Sequence, residues 1–488
     1  MAEVRENCGV IAGERSDGDI ISNIWLGLLA LQHRGQEACG IYTLDGKRFH
    51  HRKQLGLIEK FEKYNYLSGK LGIGHVRYST VGRPANRETE SDEVRIEDFA
   101  QPYFSDRPRG GIALCHNGNL VNFATLCADL QSEGNFLTAT CDAEVILKIL
   151  AEALARDSDL ERAVQLCMRK FEGSYSVVAL TGTGEVIGFR DPHGFRPLCF
   201  GENEDLLLFA SESAALDING IHEISNVKPG ELVIAQKGKK LIRKQLITQQ
   251  AHAHCMFEYV YFSRPDSTID EHDVYSVRIK LGRNLARTYK SHADVIVAVP
   301  DTARPAAEGI SMETGIPVLE GLIKNRYIGR TFIMPTQDGR DNAVALKLNV
   351  VHTVVHKKDV LLVDDSIVRG TTMRKIVGLL KAAGAARVEL WITCPPIKSP
   401  CFYGIDMASH AELVASDSSI DEIRLAIGAD ELCYQTIEGL LDAIGFTRNE
   451  TCLACLTGRY PTPLAQKLAD EMRGKEIDGQ IRYWEAHQ

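Results

Sequence analysis

The run from Val360 to Thr372 constrains this chain more than any other stretch. Val360 to Val363 is continuously apolar, as a strand buried on both faces must be, and it ends abruptly in Asp364 and Asp365. From Thr371 the pattern turns amphipathic and predicts a helix. Strand, short loop and helix in this order demand a parallel α/β sheet, with a ligand crevice at the strand's carboxyl end. The Gly370, Thr371, Thr372 turn would present backbone N–H groups and hydroxyls at a helix N-terminus, a setting that favours a phosphate. The two carboxylates can accept hydrogen bonds from ribose hydroxyls or help hold a magnesium ion. A phosphoribosyl group satisfies both halves of this loop; the plainer reading is a capped βα turn.

At 488 residues the chain exceeds one ordinary core, so two or more domains are expected. With 44% hydrophobic and 25% charged residues it is globular, and its net charge of -9 argues against a nucleic-acid partner. No membrane segment is visible, and the first residues, Met1 to Asn7, are polar and lack the apolar core of a secretory signal. A cytoplasmic protein is the simplest expectation. In that compartment the 13 cysteines read as core thiols, a nucleophile or metal ligands, and not as a disulfide framework.

From Gly9 to about residue 235, short β-rich runs such as Ser176 to Leu180 and Leu206 to Ala210 alternate with turns, interrupted by helical patterns near 141–155 and 158–171. This reads as an α+β domain. A polar passage at 237–254 marks a candidate boundary. Beyond it, strand patterns at Val295 to Val299, Val360 to Val363 and Arg387 to Ile392 alternate with helical ones, among them Ala306 to Thr314, as in a parallel α/β sheet. The last seventy or so residues read as mostly helical, including Asp421 to Ile427 and Pro463 to Met472. The divisions expected are a propeptide at 1–7, a first domain at 8–236, a second at 255–410 and a mostly helical segment at 411–488.

Cys8, taken alone, reads as a buried small side chain. It is followed by Leu31-Gln32-His33-Arg34-Gly35-Gln36, Gly74-His75-Val76-Arg77-Tyr78-Ser79, His116-Asn117-Gly118-Asn119, Thr140-Cys141-Asp142 and Asp191-Pro192-His193-Gly194-Phe195-Arg196. Singly these have dull readings: Asn117-Gly118 suits a hairpin turn, and Arg77 a surface charge. In this order they resemble the class II glutamine amidotransferase domain, an N-terminal-nucleophile (Ntn) hydrolase with an αββα sandwich. The resemblance implies cleavage after Asn7, so that Cys8 gains a free α-amine with a pKa of about 8 as its own general base. It further implies Asn117 and Gly118 as the oxyanion hole, Arg77 and Asp142 as the grip on the α-groups of glutamine, and Arg34 as a supporting residue near the nucleophile.

Val299-Pro300-Asp301-Thr302-Ala303-Arg304 follows an apolar strand, and Lys324 to Pro335 is rich in cations, including Arg326 and Arg330. With the Asp364 to Thr372 run, these resemble the diphosphate loop, the closing loop and the 5-phosphoribosyl diphosphate (PRPP) loop of type I phosphoribosyltransferases. The resemblance implies PRPP held by Asp301, Lys324, Arg326, Arg330, Asp364, Asp365, Ser366, Arg369, Gly370, Thr371 and Thr372. One Mg2+ per subunit would sit near Thr302, Asp364 and Asp365. The two halves in this order resemble the amidophosphoribosyltransferase family, whose members pass ammonia from glutamine to PRPP at the entry to purine synthesis. Family membership implies feedback inhibition by purine nucleotides and a homotetramer, with a dimer next. One departure stands out: the family pattern after Val-Pro-Asp is Ser-Gly, and here it is Thr302-Ala303, which gives up glycine's backbone freedom. Alternative readings are a PRPP-binding regulator, an amidotransferase with another acceptor, and an inactive paralogue.

Cys452 and Cys455 have a metal-ligand spacing that also suits a redox pair. Cys255 and Cys401, in their local contexts, resemble the other ligands of the Bacillus-type branch, which implies one [4Fe-4S] cluster per subunit. Spacing alone leaves zinc open, and Cys394 is a competing ligand. Cys39, Cys115, Cys127, Cys141, Cys167, Cys199 and Cys433 are assigned to packing.

Overall fold

The computed structural model describes residues 8–46, 48–60, 66–78, 100–137, 141–236, 238–249, 251–325 and 348–472. In the first half two antiparallel sheets lie face to face. Gly9–Arg15 runs through the middle of a seven-stranded sheet, flanked by Leu206–Ala210 and Leu71–Arg77. Ile112–Leu120 and Gly173–Thr181 pair within a six-stranded one and are buried along their whole length. Val10, Ala12, Ile73, Val178, Val186 and Phe209 fill the space between the sheets. Outside, Ile24 and Leu28 of the helix Ile21–Ala30 pack on Ile11, Ile41 and Val76, and Val145, Ile146 and Leu150 of the helix Asp142–Arg156 pack on Leu114, Val177 and Ile187. The result is the expected αββα sandwich. Its boundary lies later than residue 236, because Ile242–Gln245 pairs with Glu231–Gln236 as an edge strand. The strand is exposed at every position, so it carries polar residues and reads like a linker.

The second half is built on a parallel sheet ordered Val295–Ala298, Asp359–Asp364, Arg387–Ile392 and Glu431–Tyr434. Val360, Leu361, Leu362 and Val363 are fully buried, and the helix Thr371–Ala382 lays Met373, Ile376, Val377 and Leu380 on the core. The fourth strand comes from the segment beyond 410 that reads as helical, so this sheet runs past the expected boundary. A short parallel pair, His254–Cys255 with Thr451–Cys452, ties the start of this half to its far end. Among the described residues no helix is long and apolar enough to cross a membrane.

Candidate active sites

Cys8 precedes the central strand, and the pairing of Gly9 with Val76 sets it beside the end of Leu71–Arg77. Its thiol is buried and donates to the carbonyl of Tyr78 at 3.4 Å. Burial pushes this thiol up to about 11, and the nearby Arg77 guanidinium acts against that rise while Asp142 and Glu37 add to it. Arg77 and Asp142 are thus within electrostatic reach of Cys8. Arg77 is buried, not a surface charge, with Glu37 at 3.9 Å.

Asn117 and Gly118 lie within the strand Ile112–Leu120 and not in a hairpin turn. Gly118 has φ +145, and a Cβ there would fall 2.1 Å from the Ser174 carbonyl oxygen, so glycine is required. Asn117 is buried, and neither polar atom of its amide has a hydrogen-bond partner among the described residues. A buried, unsatisfied amide is costly unless a ligand completes it, which suits an oxyanion donor. Asp142 opens the helix Asp142–Arg156; its Oδ2 accepts from the Leu120 N–H at 3.2 Å and lies 3.2 Å from His116 Nε2. Burial would raise this carboxyl, but His116 and the Leu120 N–H hold it below the usual range.

Behind Cys8 lies a buried ionic network of which sequence reading gave a role only to Arg34. Arg34 pairs with Glu212 and with Glu258, and Arg196 pairs with Glu258 at 3.1 Å. Ser263 Oγ donates to Glu258 Oε2 at 2.8 Å, and Arg278 donates to the Ser263 carbonyl at 2.8 Å. Glu258 carried a usable signal: it is a lone acid inside the apolar run Met256 to Phe262.

In the second half, Thr302 Oγ1 and Ser366 Oγ both donate to Asp365, and Asp364 Oδ1 accepts from the Asp365 N–H at 2.9 Å. The Asp364 and Asp365 carboxylates with the Thr302 hydroxyl make an all-oxygen donor set that suits magnesium. Gly370, at φ +73, is the residue before the helix Thr371–Ala382, whose first turn carries no acid. Thr371 and Thr372 therefore stand at a helix end open to an anion. Lys324 pairs with Asp301 at 2.9 Å, and Arg369 pairs with Glu412. Arg326 and Arg330, residues 1–7, Ser79 and Thr140 lie outside the described residues. Ala303 has φ -81 in the right-handed region and is buried, so the departure from glycine costs no backbone freedom here.

The four cysteines converge. Cys255 and Cys452 are paired across the short parallel ladder. The Cys455 carbonyl accepts from the N–H groups of Lys398 and Ser399 at 2.8 and 3.0 Å, which brings the Cys401 segment alongside. Cys401 Sγ accepts from the Tyr403 N–H at 3.3 Å, and Arg196 Nη1 lies 3.7 Å from Cys255 Sγ. Burial pushes Cys255 up to about 11 and Cys452 well above the ordinary thiol range, with neighbouring thiols adding to both. Cys394 also acts on Cys455. Among the described residues no three His, Cys, Asp or Glu side chains are set to hold a single metal ion. Cys401, Cys452 and Cys455 are buried and Cys255 is partly so, and four thiols brought to one junction are the donor set that a thiolate-bound cluster takes.

Comparison with known proteins agrees with this division. Residues 88–218 match the glutamine amidotransferase domain family and residues 270–401 the phosphoribosyl transferase domain family. The chain is 43% identical over 475 residues to an amidophosphoribosyltransferase of Methanothermobacter thermautotrophicus, covering 96% of this chain and 97% of that one. It is 42% identical over 479 residues to the Bacillus subtilis amidophosphoribosyltransferase, covering 96% and 97%. Among solved structures, glutamine PRPP amidotransferase from B. subtilis complexed with ADP and GMP superposes with a TM-score of 0.84 at 40% identity, over 94% of this chain and 98% of that one. With likeness of this depth over both halves, the chain belongs to the amidophosphoribosyltransferase family.

Proposed function

We propose that the chain converts glutamine, PRPP and water to 5-phosphoribosylamine, glutamate and diphosphate, the entry step of purine synthesis, with Cys8 as nucleophile. The observation that carries this reading is the presence in one chain of a buried thiol beside Arg77 and Asp142, and of an Asp365 to Gly370 loop at a parallel strand end, joined by Thr302 from the neighbouring strand's loop. With Cys8 preceded by peptide, its thiol stays protonated at neutral pH. Removal of residues 1–7 supplies an α-amine that takes the thiol proton as Sγ attacks the side-chain amide carbon of glutamine. The oxyanion that forms is held by the Asn117 amide and the Gly118 N–H. Collapse expels ammonia with the proton returned by the α-amine, and water then hydrolyses the thioester to glutamate and free thiol. Arg77 and Asp142 hold the α-carboxylate and α-ammonium.

In the second half, the helix end at Thr371 and Thr372 holds the 5-phosphate. Asp364 and Asp365 hold the ribose hydroxyls or, with Thr302, would hold a magnesium ion, which when bound would supply charge neutralisation for the diphosphate. Ammonia attacks the anomeric carbon as that diphosphate leaves. Asp301, Lys324, Arg326, Arg330, Ser366 and Arg369 complete the diphosphate and PRPP contacts. Cys255, Cys401, Cys452 and Cys455 hold a [4Fe-4S] cluster that supplies a structural cross-link. Purine nucleotides regulate the enzyme, as ADP and GMP are bound by the B. subtilis relative. The assembly is a cytoplasmic homotetramer.

The test is release of glutamate and diphosphate by anaerobically purified protein, with intact mass showing a start at Cys8. Equal, PRPP-dependent release of both supports the reading; glutamate without diphosphate means another acceptor. Cys455→Ser should lose iron and sulfide and lower Tm, and iron content unchanged from the parent would remove the cluster from the reading.

A further inference from the structure

The segment that follows Cys401 reaches across to the other half of the molecule and closes on the glutaminase strand. The Phe402 carbonyl accepts from Asn119 Nδ2 at 2.9 Å. The Tyr403 carbonyl accepts from Ser174 Oγ at 2.8 Å and from Arg196 Nη2 at 2.7 Å, and the Tyr403 ring stacks on Phe195 at 4.1 Å. Gly404, at φ +100, approaches so closely that a Cβ on it would lie 3.2 Å from the Gly118 carbonyl carbon. The Ser174 hydroxyl oxygen also accepts from the Asn119 N–H, at 3.1 Å. One hydroxyl therefore fixes the peptide that follows Gly118 and anchors that peptide to the strap. Asn119 and Ser174 are both fully buried.

We infer that Asn119 and Ser174 are positioning residues of the glutaminase, clamping the carboxyl side of Gly118 against the Phe402–Gly404 strap so that the Asn117 and Gly118 donors stay aimed at the oxyanion. This rests on the reading of Cys8 as nucleophile and of Asn117 and Gly118 as oxyanion donors. The physical need is plain. Gly118 sits in a region of backbone space that only glycine occupies freely, so its own residue does little to hold the peptide plane. An oxyanion donor must meet the oxygen within a few tenths of an ångström, and that rigidity has to come from neighbours. The ladder partner of Gly118 is Tyr175, and the flanking pair Asn119 and Ser174 is where the strap adds its carbonyls. Neither residue touches substrate; both act through Gly118.

The experiment compares Asn119→Ala and Ser174→Ala with the processed parent. It measures glutamine hydrolysis, ammonia-driven phosphoribosylamine formation, iron content, and the affinities for glutamate and for glutamate γ-semialdehyde. The aldehyde reports the oxyanion directly. Cys8 Sγ adds to its carbonyl carbon, the carbonyl oxygen becomes the oxyanion, and the thiol proton passes to the α-amine. Each variant should lower kcat for glutamine about tenfold or more, short of the roughly 10² to 10³ lost with a whole donor, while KM stays within about twofold. Aldehyde affinity should fall by the same factor as kcat, with glutamate affinity, iron content and the ammonia-driven rate held at parental values. Unchanged kcat in both variants overturns the inference, as does a fall in kcat without loss of aldehyde affinity. A parallel loss of iron and of the ammonia-driven rate also overturns it, since that marks damage to the fold at large. If Asn119→Ala does not fold, Ser174→Ala, which removes a single oxygen, decides. A parent that leaves glutamine intact sinks the underlying reading; an active parent with unaffected variants sinks the inference alone.

Discussion

Gly118 shows how far a single position can be pushed by its backbone. Its φ of +145 and the 2.1 Å gap to the Ser174 oxygen leave no room for a side chain. Gly118→Ala should therefore abolish glutamine hydrolysis, by about 10² or more, while ammonia-driven synthesis continues at the other site. Assaying both nitrogen sources on one preparation checks this, and equal loss of the two would count against it. Asp142→Asn speaks to a different contact. The carboxylate held low by His116 and the Leu120 N–H is the one assigned to the α-ammonium of glutamine, so its loss should raise KM for glutamine about tenfold or more, with the ammonia route spared. These residues were legible because each sits in a short motif whose chemistry is local. Glu212 was not, nor was the pairing of Glu258 with Arg34 and Arg196, because an ion pair between residues far apart in sequence leaves no spacing to read.

The helix Thr371–Ala382 illustrates what an element contributes beyond its residues. Its N-terminal turn lacks an acid, although acids there ordinarily stabilise a helix by about 0.3–1 kcal/mol. Thr371→Asp should thus raise Tm slightly and weaken PRPP. Each ~1.4 kcal/mol of phosphate repulsion multiplies KM by ten, so an increase of about tenfold or more is expected. Calorimetry and PRPP titration on the same variant test the opposed signs; a variant that binds PRPP like the parent would place the phosphate elsewhere. The core strands and this helix could be read directly, since Val360 to Val363 and the helix's apolar stripe carry their periods openly. The edge strand Ile242–Gln245 and the short strand Glu431–Tyr434 could not. The first buries neither face, and the second earns its place only by pairing with Arg387–Ile392.

Across the whole molecule, Glu258 is the carboxylate that the Arg34 and Arg196 guanidiniums share. Burial alone would raise Glu212 and Glu258, but Arg34 and their other partners hold both below the usual carboxylate range. Groups lowered in the folded state contribute stability that is complete above their unfolded pKa of about 4.3 and disappears as pH falls through the folded value. Acid unfolding should therefore steepen below about pH 4, and Glu258→Gln should flatten that limb while costing about 3–5 kcal/mol at neutral pH. Tm measured against pH in parent and variant checks both; parallel curves would remove Glu258 from the acid transition. The same network bears on heredity. Arg34, Arg196 and Glu212 belong to the first half and Glu258 to the second. A gene cut between the halves would yield a glutaminase with one buried guanidinium too many and a transferase with an orphaned acid. Fission into two free-standing enzymes is thus opposed by charge balance, an obstacle that replacement of the quartet with apolar residues would remove.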